Sequence, residues 1–261
     1  MRYAVRSRME ETMHVAPRVE MLELPATLMS GPGMLYPSLI WDEEKAFLVD
    51  AGLPGMTPLF LEAIGRAGVA PEKLTGIIIT HHDLDHIGSL GELQRALPRP
   101  VEIFSHPEEV PFIQGELPPI KMTPKMMEQM GEQLKSMPEE QRRGMQQMIE
   151  SLKKQKITVG RTVADGDVLP YCGGIQIIHT PGHTPGHICL YLQDSKTLIA
   201  GDALFVEEGK LMPAPAFINA DSPMALRSLK KLTNYNVDNV IAYHGGLYRE
   251  DPNKRIYEIS S

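Results

Sequence analysis

Cysteine is scarce in this chain: two in 261 residues, Cys172 and Cys189. No Cys-x-x-Cys pair is present, and the count does not suggest a disulfide framework. Both thiols are expected to be buried and to pack as small hydrophobes. Positive charge is also short, with 26 Lys and Arg against 33 Asp and Glu and a formal charge of -7. That balance argues against a nucleic-acid partner held by phosphate neutralisation. No apolar run approaches the length of a membrane span, so no membrane partner is expected. Met1–Arg8 carries positive charge but no apolar stretch follows it. No secretory signal is therefore read, and a cytoplasmic location is expected.

Imidazoles and carboxylates, by contrast, are concentrated. His81-His82-Asp83-Leu84-Asp85-His86 follows directly on the strand-like run Gly76-Ile77-Ile78-Ile79-Thr80. Such side chains bind borderline and hard metal ions. A β-branched run feeding into them places the cluster at the carboxyl end of a buried strand, where open α/β sheets tend to carry their sites. Three further short apolar runs end the same way. Ile175–Ile178 leads to His179-Thr180-Pro181-Gly182-His183-Thr184-Pro185-Gly186-His187, Lys196–Ile199 to Ala200-Gly201-Asp202, and Asn239–Ala242 to Tyr243-His244-Gly245-Gly246. Gly or Pro fixes each turn.

This order of His-x-Asp-x-Asp-His, His, Asp and His resembles the metallo-β-lactamase superfamily of metal-dependent hydrolases, over roughly Val19 to Gly246. The resemblance implies an α+β fold, the four-layer αββα sandwich, with the ligand loops along one edge. It also implies two divalent metal ions, Zn first. The ligands of site one would be His81, Asp83, His183 and Asp202, and those of site two Asp85, His86, His244 and Asp202, which bridges both. The superfamily's commonest motif is His-x-His-x-Asp-His, so Asp83 stands where a second His is usual. A carboxylate there adds negative charge and a harder donor, which moves preference toward Mn or Fe. It is similar in this to the di-iron flavodiiron proteins, which carry Glu there and normally have a fused flavodoxin-like domain for which this chain has no room. His82, His179 and His187 are expected to be structural, and Asp50 to hydrogen-bond the ligand loop from behind.

One domain spanning 1–261 is expected, with a helical insertion over 116–156. The insertion is rich in Met, Gln, Glu and Lys. Met122, Met126, Met130, Leu134 and Met137 share one helical face, and Met145, Met148, Ile149 and Leu152 the next. It is either a cover for a sheet edge or a deformable lid over the site. Elsewhere a Thr-capped helix is expected over Thr57–Ala67 and another over Gly88–Leu97, stopped by Pro98.

The resemblance implies hydrolysis by a water that two metals share and hold as hydroxide, with Asp85 as the catalytic group orienting it. The substrate would be a small molecule: a carboxylic ester, lactone or thioester with an apolar tail. Quorum-signal lactonases have the same Thr-Pro-Gly-His-Thr-Pro-Gly-His loop, but carry a Tyr where this chain has Phe205. Glyoxalase II-type thioesterases share the loop, keep the second His and add basic residues for glutathione, of which no clear cluster is seen here. A di-iron redox enzyme, a phosphoesterase of the same fold and a binding module with structural metals are the alternatives. A homodimer stays open.

Overall fold

The structure is a computed structural model that describes residues 12–28, 31–121 and 157–261, with 128, 131–132, 135–140 and 142–143 between them. The expected insertion over 116–156 falls mostly outside these residues.

Strands with apolar side chains on both faces must be covered on both, and that requirement builds the layers. Ile77 and Ile78 are consecutive in Leu74–Ile78 yet belong to different core clusters, as do Leu48 and Val49, Ile177 and Ile178, Leu198 and Ile199, and Val240 and Ile241. The first sheet orders Thr12–Ala16, Val19–Leu22, Ser38–Trp41, Ala46–Val49, Leu74–Ile78, Glu102–Ser105 and Arg161–Thr162. The second orders Val168–Leu169, Ile175–His179, Ile188–Leu192, Thr197–Ile199, Asn239–Ala242 and Gly246–Tyr248. Their inner faces close through Ile40, Phe47, Ile78 and Phe104 on one side and Ile177, Leu190, Ile199 and Ile241 on the other. Thr57–Arg66 and Leu90–Ala96 cover the first sheet with Phe60, Ile64, Leu90 and Leu93. Ser222–Leu232 and Pro252–Ser260 cover the second with Leu229, Leu232 and Ile256. The result is an α+β, four-layer αββα sandwich.

Strand direction brings the loops together. Ala46–Val49 and Leu74–Ile78 run parallel, as do Thr197–Ile199 and Asn239–Ala242. Ile175–His179 lies two antiparallel steps from Thr197–Ile199 and so points the same way. The two sheets touch where Ile188 N–H donates to the Thr80 carbonyl at 3.1 Å.

Two expected helices differ in detail. Met56, not Thr57, holds the cap position of Thr57–Arg66, because the Thr57 hydroxyl is turned to Glu92 at 3.2 Å. The stretch over 88–97 starts earlier and breaks, as Leu84–Ile87 and Leu90–Ala96. Cys189 is buried, whereas Cys172 is only half-buried, on a turn whose N–H donates to Asp42 at 3.0 Å.

Candidate metal centre

The His81–His86 segment is held from behind by Asp50. Its carboxylate accepts from Thr80 N–H and the Thr80 hydroxyl, each at 2.8 Å, and from His86 Nδ1–H at 2.9 Å. Asp50 sits at φ 66, a left-handed conformation costly for a residue with a Cβ. These hydrogen bonds hold it there. The backbone then makes one helical turn, with His86 and Ile87 N–H donating to the Asp83 carbonyl at 2.9 and 3.1 Å.

The hydrogen-bond network assigns each imidazole its tautomer. The Thr80 hydroxyl has given its proton to Asp50, so His81 Nδ1–H donates to Thr80 Oγ1 at 3.0 Å. His86 donates from Nδ1 to Asp50, and His183 from Nδ1 to Asn219 Oδ1 at 3.0 Å. In its neutral form each of the three therefore turns a bare Nε2 inward, the arrangement a ligating imidazole needs.

What faces those nitrogens is carboxylate oxygen. Asp83 Oδ2 lies 3.3 Å from His81 Nε2 and 3.1 Å from His183 Nε2. Asp85 Oδ2 lies 3.2 Å from His244 Nε2 and 3.9 Å from His86 Nε2. Asp202 reaches both groups, with Oδ1 3.3 Å from His86 Nε2 and Oδ2 3.4 and 3.5 Å from Nε2 of His183 and His244. All seven sequence-derived residues are thus brought together, around Asp202. A bare nitrogen against a carboxylate oxygen is repulsive unless a cation sits between them. Nε2 of His81 and His86 and Oδ1 of Asp202 are buried with no hydrogen-bond partner among the described residues. Such orphaned acceptors are costly to bury, and divalent ions would satisfy them. The donor set fits the metals that the sequence implies.

The same carboxylates also hold protons on some of these rings, so proton and metal compete for the inward nitrogens. Burial opposes charge on Asp83 and Asp202, yet the surrounding imidazoles hold both carboxyls well below the usual range, with Lys121 helping at Asp83. Burial drives the His81 ring well below its ordinary value. At His86 burial is outweighed by Asp50, Asp202 and Asp85, and the ring is held well above it. His244 is likewise pushed up to about 9, against burial, by Asp202 and Asp85.

The remaining motif residues brace these loops. His187 donates from Nδ1 to the Thr180 hydroxyl at 2.8 Å and accepts the Asp202 N–H at Nε2 at 3.0 Å, leaving no lone pair for a metal. Gly201 makes that approach available: at φ 50, a Cβ there would stand 2.7 Å from His187 Nε2. His179 donates from Nε2 to the Pro185 carbonyl at 2.9 Å. His82 turns away from the cluster, stacks on Phe112 at 4.2 Å and pairs with buried Glu109.

Three contributors carried no sequence signal. Glu109 accepts from His82 N–H at 2.9 Å, and from the Thr184 hydroxyl and Gly186 N–H at 2.7 Å, tying two ligand loops together. Asn219 orients His183. The Lys121 ammonium donates to Asp83 Oδ2 and, at 2.7 Å, to His183 Nε2. Phe205 stacks on His244 at 4.9 Å, and the Tyr243 hydroxyl donates to the Asp85 carbonyl at 2.6 Å.

Comparison with known proteins agrees with this geometry. The sequence profile of the metallo-beta-lactamase superfamily matches residues 31–244. The chain is 29% identical over 216 residues to the probable metallo-hydrolase YflN of Bacillus subtilis, covering 76% of this chain and 74% of that one. It is 28% identical over 241 residues to an N-acyl homoserine lactonase of a Bacillus species, covering 80% and 78%. Among solved structures, a metallo-beta-lactamase family protein of Thermus thermophilus superposes with a TM-score of 0.67 at 22% identity, covering 95% of this chain and 79% of that one.

Proposed function

Because the chain belongs to the metallo-β-lactamase superfamily, we propose that it is a metal-dependent hydrolase of small-molecule carboxylic esters, lactones or thioesters with an apolar tail. The observation that carries this reading is the set of bare imidazole nitrogens facing carboxylate oxygens, with Asp202 shared between two groups. His81, Asp83, His183 and Asp202 would hold one divalent ion, and Asp85, His86, His244 and Asp202 a second. Zn suits the set by affinity order, while the oxygen of Asp83 suits Mn or Fe. Ions bound there would supply an acidified water and Lewis-acid polarisation of the carbonyl oxygen.

The chain's own residues do the rest. Asp85 is the one centre carboxylate that belongs to site two alone, and a quarter of its side chain is exposed. Its Oδ2 can accept a proton from the attacking water and so orient it. No protein nucleophile is required: the buried Cys189 thiol is pushed up to about 12 by burial. Phe205 covers His244 with an apolar ring and offers the leaving group no hydroxyl. Exposed Leu84 and Ile120 adjoin Asp83 and Lys121 in the chain, and exposed Phe217 lies two residues before Asn219. Exposed apolar side chains next in sequence to residues of the centre support an apolar substrate tail.

The test is turnover of acyl-homoserine lactones, aryl esters and acyl thioesters by protein loaded with Zn, Mn or Fe. Turnover that rises with acyl length and is lost in Asp85→Asn supports the proposal. Failure with all three substrate classes and all three metals overturns it.

Asp83 favours one second reading, a di-iron redox centre, since it adds a hard oxygen donor. Anaerobic purification with metal analysis and an optical spectrum separates the two: Zn occupancy with no iron absorbance excludes the redox enzyme.

A further inference from the structure

Lys121 enters the centre from outside all four ligand loops. Its side chain is about a quarter exposed, and its ammonium donates to Asp83 Oδ2 and to His183 Nε2, at 2.7 Å from the latter. Those are two of the lone pairs that an ion in site one must use. His183 cannot turn another nitrogen to the lysine, because its Nδ1–H is committed to Asn219. The contact therefore takes the metal-binding lone pair itself. Metal and ammonium exclude one another at these atoms.

The lysine is also delivered there. The neighbouring Ile120 N–H donates to His82 Nε2 at 3.4 Å, and the other ring nitrogen of His82 pairs with Glu109. Glu109 in turn holds Thr184 and Gly186 of the loop that carries His183. A chain of contacts, buried from His82 onward, thus ties the backbone beside Lys121 to the loop it acts on. The charge balance matches. Asp83 brings a negative charge where the superfamily's usual imidazole is neutral, and Lys121 neutralises it. Site two has no such partner: among the described residues, no Lys or Arg contacts Asp85, His86 or His244.

We propose that Lys121 is a tethered cation competing with metal for site one, so that the two sites fill unequally, site two first. The inference rests on the metal-centre reading given above. Charge-assisted hydrogen bonds of this kind weaken the competing metal by roughly ten- to hundred-fold.

The experiment is a Zn titration of demetallated protein at one fixed pH against a chromophoric chelator, for wild type, Lys121→Ala and Lys121→Met. His81→Ala, which removes a site-one ligand that the ammonium does not contact, identifies the site-one step by weakening it. Two unequal steps in wild type are expected, with the weaker one tightening roughly ten-fold or more in both lysine variants and the stronger one unmoved. A weaker step that stays put, or equal movement of both steps, overturns the role of Lys121 and leaves the metal centre standing. No Zn uptake by any form overturns the metal-centre reading itself.

Discussion

Asp83 and His183 meet 3.1 Å apart, carboxylate oxygen against imidazole Nε2, two acceptors with no proton of their own between them. The proton that could have relieved them is on Nδ1 of His183, held by Asn219. The centre is therefore built to need a cation, and the polar residues behind the ligands enforce that need.

Asn219 gives the first test. Asn219→Ala frees His183 to change tautomer or rotate, and losses of this kind typically weaken metal binding by about ten- to hundred-fold. Titration with Zn should show weaker binding, with circular dichroism unchanged. Equal affinity would mean that the Asn219 contact is incidental.

Asp83→His restores the superfamily's commonest donor at that position and removes the carboxylate that Lys121 grips. The variant should retain more Zn relative to Mn and Fe than wild type does, because an imidazole replaces a hard oxygen. Metal content after growth in mixed-metal medium measures this. An unchanged ratio would show that Asp83 does not set the preference.

Glu109 concerns stability. Glu109→Ala strips partners from buried His82, Thr184 and Gly186 at once. Breaking a buried charged network costs about 3–5 kcal/mol, while Glu109→Gln keeps an acceptor and should cost less. Urea unfolding gives both values, and a loss below about 1 kcal/mol for the alanine variant would contradict the bracing role.

The pH dependence has a definite sign. In metal-free protein His244 is raised to about 9, so the folded state holds its proton more tightly than the unfolded chain does. Its contribution to stability is fully present below about 6.5, the ordinary value for a histidine, and is lost as pH rises through about 9. His86, also raised, acts in the same direction. Metal must expel these protons, so affinity should increase with pH across the same window. Chemical denaturation of the metal-free protein and Zn binding from pH 6 to 9 test the two halves.

The ligand loops were legible because each is continuous in sequence: a β-branched strand, a Gly or Pro turn, and an imidazole or carboxylate at its end. Glu109, Asn219 and Lys121 were not, since each acts across long gaps, as Lys121 does on His183 from 62 residues away. Nothing local distinguishes them from surface polar residues. The fold divides similarly. Core strands such as Leu74–Ile78 announce themselves by apolar runs. The hairpins Leu24–Leu28 with Gly31–Leu35 and Leu204–Glu207 with Lys210–Pro213 were missed. Proline and glycine inside a strand argue locally against it. Pro252–Ser260 was missed because only Pro252, Ile256 and Ser260 of this polar helix are buried.

The most direct test is the metal content of protein saturated with Zn and freed of excess, for wild type beside Asp202→Asn. Asp202 touches His86, His183 and His244, so both sites depend on it. Wild type is expected to retain about two ions per chain and the variant at most about one. Wild type that retains none, or a variant that retains as many ions as wild type, would contradict the shared centre.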